Sequence, residues 1–457
     1  MLAIQEEIDK ASAYPAYKPS NIEWIGEIPK HWVKSKLKLQ SKIVNGSTPS
    51  STNEEFWDGD IIWVTPSDIS KLSSCEIHDS IRKITIEGLN SCGTSLVPIK
   101  SIILTTRAPI GNIAIAETEL CTNQGCKSII TKGESKFLYY YLKSFTEILE
   151  SLGAGTTFKE LSTETLKNLE FALPPLPEQQ AIVTYLDQKT ALIDELIGKK
   201  QRKIDLLKEQ KTALINHAVT KGLNPDFSFK DSGIEWIGEI AEHWNKSKLK
   251  YKGSFFSGYS FDSNDFQSEG DIRVIKISNV QNNGISWEDL SYVPADFFEK
   301  FKDFRVLEGD LIFVLTRPII STGIKVCFYN EDYLALLNQR NSVFRPHESS
   351  IIKKFLFYLV RTFYFIEEFK QQLKETNQPN ISTEQISNIN IFLPSLSEQQ
   401  AIVSYLDEQT ALIDTAIALE IQKIDKLKEY RQSLISAAVT GKICVLPFTE
   451  KREPKAV

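Results

Sequence analysis

The sequence contains the same frame twice. Residues 21–38 return at 233–250 with 14 of 18 positions identical, and residues 178–198 return at 398–418 with 15 of 21 identical. Between these blocks the copies diverge, and the second copy is eight residues longer. Repetition over this length predicts two similar modules related by an internal pseudo-twofold repeat. A shared frame around a diverged interior indicates modules that share partners but contact different targets, although duplication followed by neutral drift would leave the same pattern.

One long amphipathic helix is predicted in each copy. From Glu178 to about Val219 apolar residues recur seven or fourteen apart, as in a coiled-coil seam that needs a partner, most simply the other copy. The seam residues are Leu186, Ile193, Leu207 and Leu214, and then Leu406, Ile413, Leu427 and Leu434. Prolines up to Pro177 precede the expected start, and Gly222 and Gly441 follow the ends. Four charged residues interrupt the seams: Lys200, Lys211, Glu420 and Arg431. They either fix the pairing register or lie at solvated edges of the helices.

The interiors between the frames have another pattern. Short β-rich runs such as 60–64, 101–106 and 310–315 are separated by Gly, Pro, Asn and Asp, and each interior turns helical near 137–152 or 355–374. Each interior is therefore predicted as a mixed α+β domain of roughly 150 residues. Weak similarity aligns Trp63–Ile69 with Val274–Val280, and Thr105–Gly111 with Leu315–Ser321.

Composition excludes several classes of protein. With 457 residues and 42% hydrophobic content, the chain can form about three domains with buried cores. A net charge of -6 excludes a uniformly basic nucleic-acid coat but leaves room for a local basic face. Six irregularly spaced cysteines and five histidines argue against a disulfide framework or a zinc site. With neither a signal peptide nor a membrane span expected, a cytoplasmic protein with reduced thiols is predicted.

The sequence favours binding over catalysis. It contains no Walker loop, no G-x-G-x-x-G after a strand, no H-E-x-x-H and no G-x-S-x-G. Loops of both interiors combine small polar residues, side-chain amides and basic residues. Such residues suit DNA, because Arg reads guanine, Asn or Gln reads adenine, and Ser, Thr and Lys contact phosphates. Ordinary solvated turns contain the same residues, so composition leaves both interpretations open. The frame tryptophans could stack on bases, but their identical spacing favours packing in a core or against a partner.

The doubled frame resembles the specificity subunit of type I restriction-modification systems, from about Ile22 to Lys442. The openings are Trp24-Ile-Gly-Glu-Ile-Pro-Lys-His-Trp32 and Trp236-Ile-Gly-Glu-Ile-Ala-Glu-His-Trp244, and the helix heads are Leu173-Pro-Pro-Leu-Pro-Glu-Gln179 and Leu393-Pro-Ser-Leu-Ser-Glu-Gln399. The resemblance implies an α+β fold with two target-recognition domains separated by two long antiparallel coiled-coil-like helices. The expected segments are an N-terminal segment at 1–20, a first recognition domain at 21–172, a central helical spacer at 173–222, a linker with the second recognition domain at 223–393, a distal helical spacer at 394–442, and a tail at 443–457.

The resemblance also implies a function without catalysis. Each recognition domain would read one half of a split, asymmetric double-stranded DNA site, and the helices would fix the gap. Two adenine N6-methyltransferase subunits carrying S-adenosylmethionine would dock on the repeated frame, and restriction and translocation subunits using ATP and Mg²⁺ would join. No cofactor is expected on this chain itself. The rival hypotheses are a protein-interaction scaffold that does not bind DNA and an enzyme with an unfamiliar site.

Specific residues follow from this interpretation. DNA contacts are predicted for Arg107, Asn123, Gln124, Lys127 and Lys159 in the first domain and for Lys276, Arg317, Gln339, Arg340 and Asn377 in the second. Partner contacts are predicted for the frame residues Trp24, Trp32, Glu178, Gln179, Trp236, Trp244, Glu398 and Gln399.

Overall fold

The computed structural model describes residues 13–72, 74–107, 109–155, 159–282, 284–320, 323–347, 349–373 and 379–445. The chain divides into two compact units, 1–201 with 422–457, and 202–421. Each unit therefore contains one interior domain and one part of each long helix. Within the described ranges, no helix is both long enough and apolar enough to cross a membrane.

Twelve α-helices lie in the described residues, and two of them are far longer than the rest. The short ones are α1 (Leu37–Gln40), α2 (Pro66–Ser70), α3 (Ile86–Asn90), α4 (Ser135–Ser144), α5 (Thr146–Ser151), α6 (Thr163–Asn168), α8 (Phe297–Lys300), α9 (Lys353–Leu359), α10 (Phe363–Gln371) and α11 (Thr383–Ser387). The long ones are α7 (Leu176–Lys221, 46 residues) and α12 (Leu396–Val439, 44 residues).

The first unit contains a five-stranded sheet of order β4-β11-β8-β9-β6, a three-stranded sheet β10-β5-β7, and the pairs β1-β2 and β12-β3. Its strands are β1 (Tyr17–Ile22), β2 (Ile25–Pro29), β3 (Val33–Lys36), β4 (Ser41–Asn45), β5 (Trp57–Val64), β6 (Glu76–Ile77), β7 (Lys83–Ile84), β8 (Ile102–Thr105), β9 (Ile113–Ala116), β10 (Cys121–Thr122), β11 (Cys126–Thr131) and β12 (Glu170–Leu173).

The second unit repeats this plan with sheets β16-β27-β22-β25 and β20-β17-β26-β21 and the pairs β13-β14, β15-β28, β18-β19 and β23-β24. Its strands are β13 (Phe229–Asp231), β14 (Glu239–Ala241), β15 (Asn245–Lys248), β16 (Gly253–Ser257), β17 (Ile272–Ile275), β18 (Val280–Gln281), β19 (Gly284–Ile285), β20 (Tyr292–Val293), β21 (Arg305–Val306), β22 (Leu311–Val314), β23 (Ile319–Ile320), β24 (Gly323–Ile324), β25 (Val326–Phe328), β26 (Ala335–Leu337), β27 (Asn341–Pro346) and β28 (Asn390–Leu393). The predicted α+β class and internal repeat are confirmed.

In each unit, one inner strand of a sheet is buried on both faces, β8 in the first and β22 in the second. On β8, Ile102 and Leu104 join the core that contains the helices, whereas Ile103 joins a second cluster with Val64. Strand β22 divides in the same way, because successive side chains of a strand point to opposite faces. This explains why both strands are continuous apolar runs in the sequence.

The long helices pair inside each unit, and the pairing is antiparallel. In the second unit Lys203 faces Glu420 at 3.0 Å and Lys211 faces Asp414 at 2.6 Å, so the number on one helix rises as the other falls. In the first unit Arg431 faces Asp194 at 3.2 Å. Three of the charged residues that interrupt the seams are thus paired across helices, which supports a role in setting register.

Two local expectations were wrong. Pro177 does not precede α7 but lies in its first turn, where the missing N–H of proline would have no helical acceptor anyway. The helix expected at 355–374 is two helices, α9 and α10. Val360 is the C-cap of α9, and Thr362 is the N-cap of α10, where it accepts a hydrogen bond from the Phe365 N–H. Aromatic side chains of both helices are buried, since Phe355, Phe365 and Phe369 have no exposed surface.

Candidate nucleic-acid interface

In the first unit, the loops that carry predicted DNA contacts meet at one edge of the sheets. Strands β4, β8 and β10 end there and β11 begins there. The Ser47 N–H donates to the Thr122 carbonyl at 2.9 Å, and the Thr106 N–H donates to the Gly125 carbonyl at 2.8 Å. We call this region, formed by residues 46–50, 106–107, 109–112, 122–126 and 159–161, the first edge. Backbone hydrogen bonds therefore contribute to holding the loops of this edge together.

A glycine makes the close approach at the first edge possible. A methyl group on Gly46 would overlap the backbone carbonyl of Asn123, well under the 3.0 Å that real Cβ contacts respect. In the second unit Gly258 approaches the carbonyl of Asn338 in the same way. The chain therefore uses glycine twice, at matched positions, to bring a strand end against an Asn-Gln turn.

Two of the five predicted contacts in the first domain, Arg107 and Lys127, pair with Glu160, and a third, Lys159, precedes it in sequence. Glu160 accepts a hydrogen bond from Arg107 Nε at 3.1 Å and lies 3.7 Å from Lys127 Nζ, while Lys159 is exposed beside it. Lys127 itself is buried and also reaches Thr106 Oγ1 at 3.3 Å. Burial lowers the pKa of the Lys127 amine, and the facing Glu160 carboxylate opposes that shift. Arg107 is thus the outer cation and Lys127 the inner one.

The two amides of the turn are held in place. Asn123 is half-buried, and its Oδ1 accepts a hydrogen bond from the Gly125 N–H at 3.0 Å. Gln124 is exposed and accepts a hydrogen bond from the Thr48 hydroxyl. Both side chains are therefore fixed at the edge before any ligand arrives, which is what recognition of a base needs.

The second unit forms a matching second edge from loops 258–260, 276–279, 315–318 and 338–341. The Leu315 N–H donates to the Arg340 carbonyl at 2.9 Å, and the Gln339 N–H donates to Tyr259 at 2.9 Å. Gln339, Arg340 and Arg317 are exposed. Lys276 is half-buried and its charge is balanced, since Nζ lies 2.6 Å from Asp289. Asn377 lies outside the described residues.

The alignment of the two arginine loops was wrong by one residue. Thr105 pairs with Cys126, and Val314 pairs with Asn341, so Thr105 corresponds to Val314. Arg107 therefore corresponds to Thr316, and the two bridge Glu160 and Asn380 respectively. Arg317 follows one position later with a left-handed φ of 49°. The sequence alignment matched the letters Thr-Arg, whereas strand register decides the equivalence.

The other alignment, of Trp63–Ile69 with Val274–Val280, is confirmed. Parallel pairs align Trp63 with Cys121 and Val274 with Leu336. Two residues further on, the N–H of Thr65 donates to Asp68 at 2.8 Å in the first copy, and the N–H of Lys276 donates to Asn279 at 2.8 Å in the second.

The predicted partner contacts Glu178, Gln179, Glu398 and Gln399 clamp the helix heads inside their own units. Gln179 accepts from the Glu134 N–H at 3.0 Å and donates to the Pro174 carbonyl at 2.9 Å. Gln399 does the same with Ile352 at 2.9 Å and Pro394 at 3.1 Å. Glu178 and Glu398 lie 2.8 Å from a histidine ring in each copy, His31 and His243.

The frame tryptophans pack in the cores. Trp32 and Trp244 have no exposed surface, and Trp24 and Trp236 are half-buried against the same clusters. Trp244 Nε1 donates to Glu398 at 3.1 Å, whereas Glu178 accepts from Tyr14 instead. Their placement does not test a partner contact, but such a contact could not use the buried indoles of Trp32 and Trp244.

Arg82 is a residue that the sequence did not single out. Its guanidinium lies 3.6 Å from the ring centroid of Trp57, and it lines a pocket together with Trp63 and Asn123. A lone arginine in a segment without periodicity gives no signal in one sequence. Among the described residues, no group of three or more His, Cys, Asp or Glu side chains could hold a metal ion.

Two repeats of one α+β domain, each with a polar loop edge and a share of two long helices, form a duplicated recognition module. The family model described as "Type I restriction modification DNA specificity domain" matches residues 29–206 and 241–429. Because these matches cover well over half of the chain, the protein belongs to this family.

Named relatives support the assignment. The chain is 34% identical over 310 residues to the type I restriction enzyme MjaVIII specificity subunit of Methanocaldococcus jannaschii, covering 68% of this chain and 70% of that one. It is 28% identical over 436 residues to the MjaIX specificity subunit of the same organism, covering 92% and 95%. The protein is therefore similar to type I specificity subunits over nearly its whole length.

Solved structures share the fold. A chain from a structure concerned with assembly and conformational transition of the type I R-M system aligns with a TM-score of 0.70 at 17% identity, covering 91% of this chain and 99% of that one. The HsdS subunit from Thermoanaerobacter tengcongensis aligns with a TM-score of 0.51 at 17% identity, covering 91% and 98%. At this identity the likeness concerns the fold alone.

Proposed function

We propose that each unit reads one half of a split, asymmetric DNA site, with the first and second edges as the base-reading surfaces. The observation that carries this is the pair of matched edges, built on the same glycine contacts and backbone hydrogen bonds but carrying different side chains. The matched backbone contacts of the two edges support equivalent roles for the two units. Different side chains, such as Arg107 with Glu160 against Thr316 with Asn380, support two different half-sites.

The remaining parts of the chain fit a role in a complex. Helices α7 and α12 would set the gap between the half-sites. The repeated frame would dock two adenine N6-methyltransferase subunits, to which restriction and translocation subunits would bind. In this proposal S-adenosylmethionine stays with the methyltransferase and ATP with Mg²⁺ stays with the restriction subunit, so this chain contributes recognition without catalysis, in the cytoplasm.

A modified-base map of the host genome tests the proposal. Deletion of the gene should abolish N6-methyladenine at one split motif with a fixed gap, and the intact gene should restore it. Arg107→Ala and Arg317→Ala serve as each other's control, because each should relax preference in a different half-site. An unchanged map on deletion, in cells that express the protein and a methyltransferase partner, would contradict the proposal.

A further inference from the structure

Arg82 lies beside the first edge, in a pocket that Asn123 of the edge also lines, and outside every motif discussed so far. Its guanidinium carbon is 3.6 Å from the ring centroid of Trp57 and 5.7 Å from that of Trp63. Arg82 shares its pocket with Asn123, with the hydroxyl residues Thr65 and Ser67, and with Ile81. The arginine is therefore a neighbour of the amide turn that carries two of the predicted base contacts.

Hydrogen bonds to Asp68 and Ser80 hold the backbone of the segment that carries Arg82. The Ile81 N–H donates to buried Asp68 at 3.0 Å, and the Ser80 hydroxyl donates to the Arg82 carbonyl at 2.7 Å. Ser80 Oγ also accepts from the Trp63 N–H at 3.1 Å. A guanidinium held by stacking and a fixed backbone loses little conformational freedom when it binds.

The same tryptophan pair fixes the neighbouring loop. Trp63 Nε1 donates to the Ser47 carbonyl at 2.9 Å, and Trp57 Nε1 donates to the Ser50 carbonyl at 3.0 Å. That loop carries Thr48, which donates to Gln124. Arg82 and Gln124 are thus tied to one scaffold, so they can face one ligand together.

The charge of Arg82 is not neutralised in an ion pair. The Asp68 carboxylate lines the same pocket but accepts hydrogen bonds from the Thr65 and Ile81 N–H groups. Among the described residues, Arg82 has no carboxylate within the 4.0 Å of an ion pair, in contrast to Arg107 with Glu160 and Lys276 with Asp289. Beside it, Ile81 is 71% exposed, more than any other large apolar side chain in the described part of the chain. An exposed isoleucine gains nothing beside a phosphate, but it can pack on a thymine methyl group.

We propose that Arg82 and Ile81 form a further base-reading element of the first unit, with Arg82 donating two hydrogen bonds to a guanine and Ile81 packing on a thymine methyl group in the major groove. The inference rests on the proposed function and deepens it, since it adds a specificity determinant to the first edge. It makes no use of the second unit, whose half-site should be unaffected.

The test uses the complete complex in a host from which the gene has been deleted. The strain is complemented with the wild type, Arg82→Ala, Arg82→Lys, Ile81→Ser or Ile86→Ala, and the genome is mapped for N6-methyladenine. Ile86 is the matched control, because it is 54% exposed in the same unit but follows β7, whereas Arg82 precedes that strand. Binding of the purified complex to cognate and single-base variant duplexes is then measured over a salt series.

We expect both Arg82 variants to lose discrimination at one base pair of one half-site by about tenfold or more, because lysine keeps the charge but lacks the planar fork. Ile81→Ser should weaken preference at an adjacent thymine, and as an exposed change it leaves folding intact. Ile86→Ala should match the wild type.

Two results would overturn the inference. One is an unchanged motif with unchanged discrimination in Arg82→Ala and Ile81→Ser. The other is uniform weakening across all duplexes, with a reduced salt slope that Arg82→Lys restores, because that is the behaviour of a phosphate contact. Failure of the proposed function itself is distinct, since the wild-type strain would then show no split motif at all.

Discussion

Replacing Gly46 by alanine tests whether the first edge depends on a close backbone approach. The added methyl group would overlap the Asn123 carbonyl and also approach the Thr122 side chain, so loop 46–50 must move away from the turn. The movement weakens the hydrogen bond from the Ser47 N–H to Thr122. Forcing a methyl group into a packed site costs about 1–3 kcal/mol. For a unit of this size, that corresponds to a fall in Tm of about 2–12 °C.

Calorimetry of the full chain measures this cost, and the methylation map measures its consequence. Gly46→Ala should lower the transition of the first unit and weaken recognition of one half-site only, and Gly258→Ala should do the same for the other. Gly26→Ala is the control, because no atom lies within 4 Å of the added methyl group. A Gly46→Ala variant with wild-type Tm and wild-type motif, or one that changes no more than Gly26→Ala, would refute the reasoning.

Three further predictions concern stability. Gln179→Ala should destabilise the first unit by about 2 kcal/mol or more, because the Glu134 N–H and the Pro174 carbonyl lose their partner. Gln180→Ala, at an exposed position, should change the free energy of unfolding little. Denaturant titration compares the two variants. Asp414→Lys should cost at least about 0.2–1 kcal/mol, because it removes the ion pair with Lys211 and places two lysines opposite each other. Combining it with Lys211→Asp should recover the loss in a double-mutant cycle. Burial raises the pKa of the Cys327 thiol to about 12, so its contribution to the free energy of unfolding is full below pH 9 and is lost as the pH rises toward 12. Urea unfolding at pH 8 and pH 10.5 should show a smaller loss of stability at the higher pH in Cys327→Ala than in the wild type. Equal losses in the two proteins would contradict this.

The parts of the fold that sequence predicted well are those that local periodicity determines. The helices α7 and α12 follow from apolar residues at fixed spacing, and the repeat follows from direct identity. The register of the arginine loops could not be predicted in this way. Strand pairing between 101–106 and 126–131 fixes it, and matching letters in loops carry no information about that pairing.

The sequence also could not predict which polar residues are buried. Lys127 was grouped with the exposed cations because its counter-charge, Glu160, lies 33 positions further along the chain. Gln179 has the pattern of a partner contact, yet its partners are backbone groups of the same unit. A repeated polar residue looks the same in one sequence whether it binds inside or outside the unit, because both roles keep the residue type.

The construction of the edges explains how one frame can carry two different recognition surfaces. The Leu161 N–H donates to the Thr106 carbonyl at 2.8 Å, and the Ile381 N–H donates to the Leu315 carbonyl at 2.9 Å. These contacts use only backbone atoms, so the inner cation Lys127 can be replaced by Ser342 at the matched strand position without loss of the edge. Divergence of the interiors is therefore compatible with a constant frame, since the hydrogen bonds that shape each edge place no demand on the side chains that it presents.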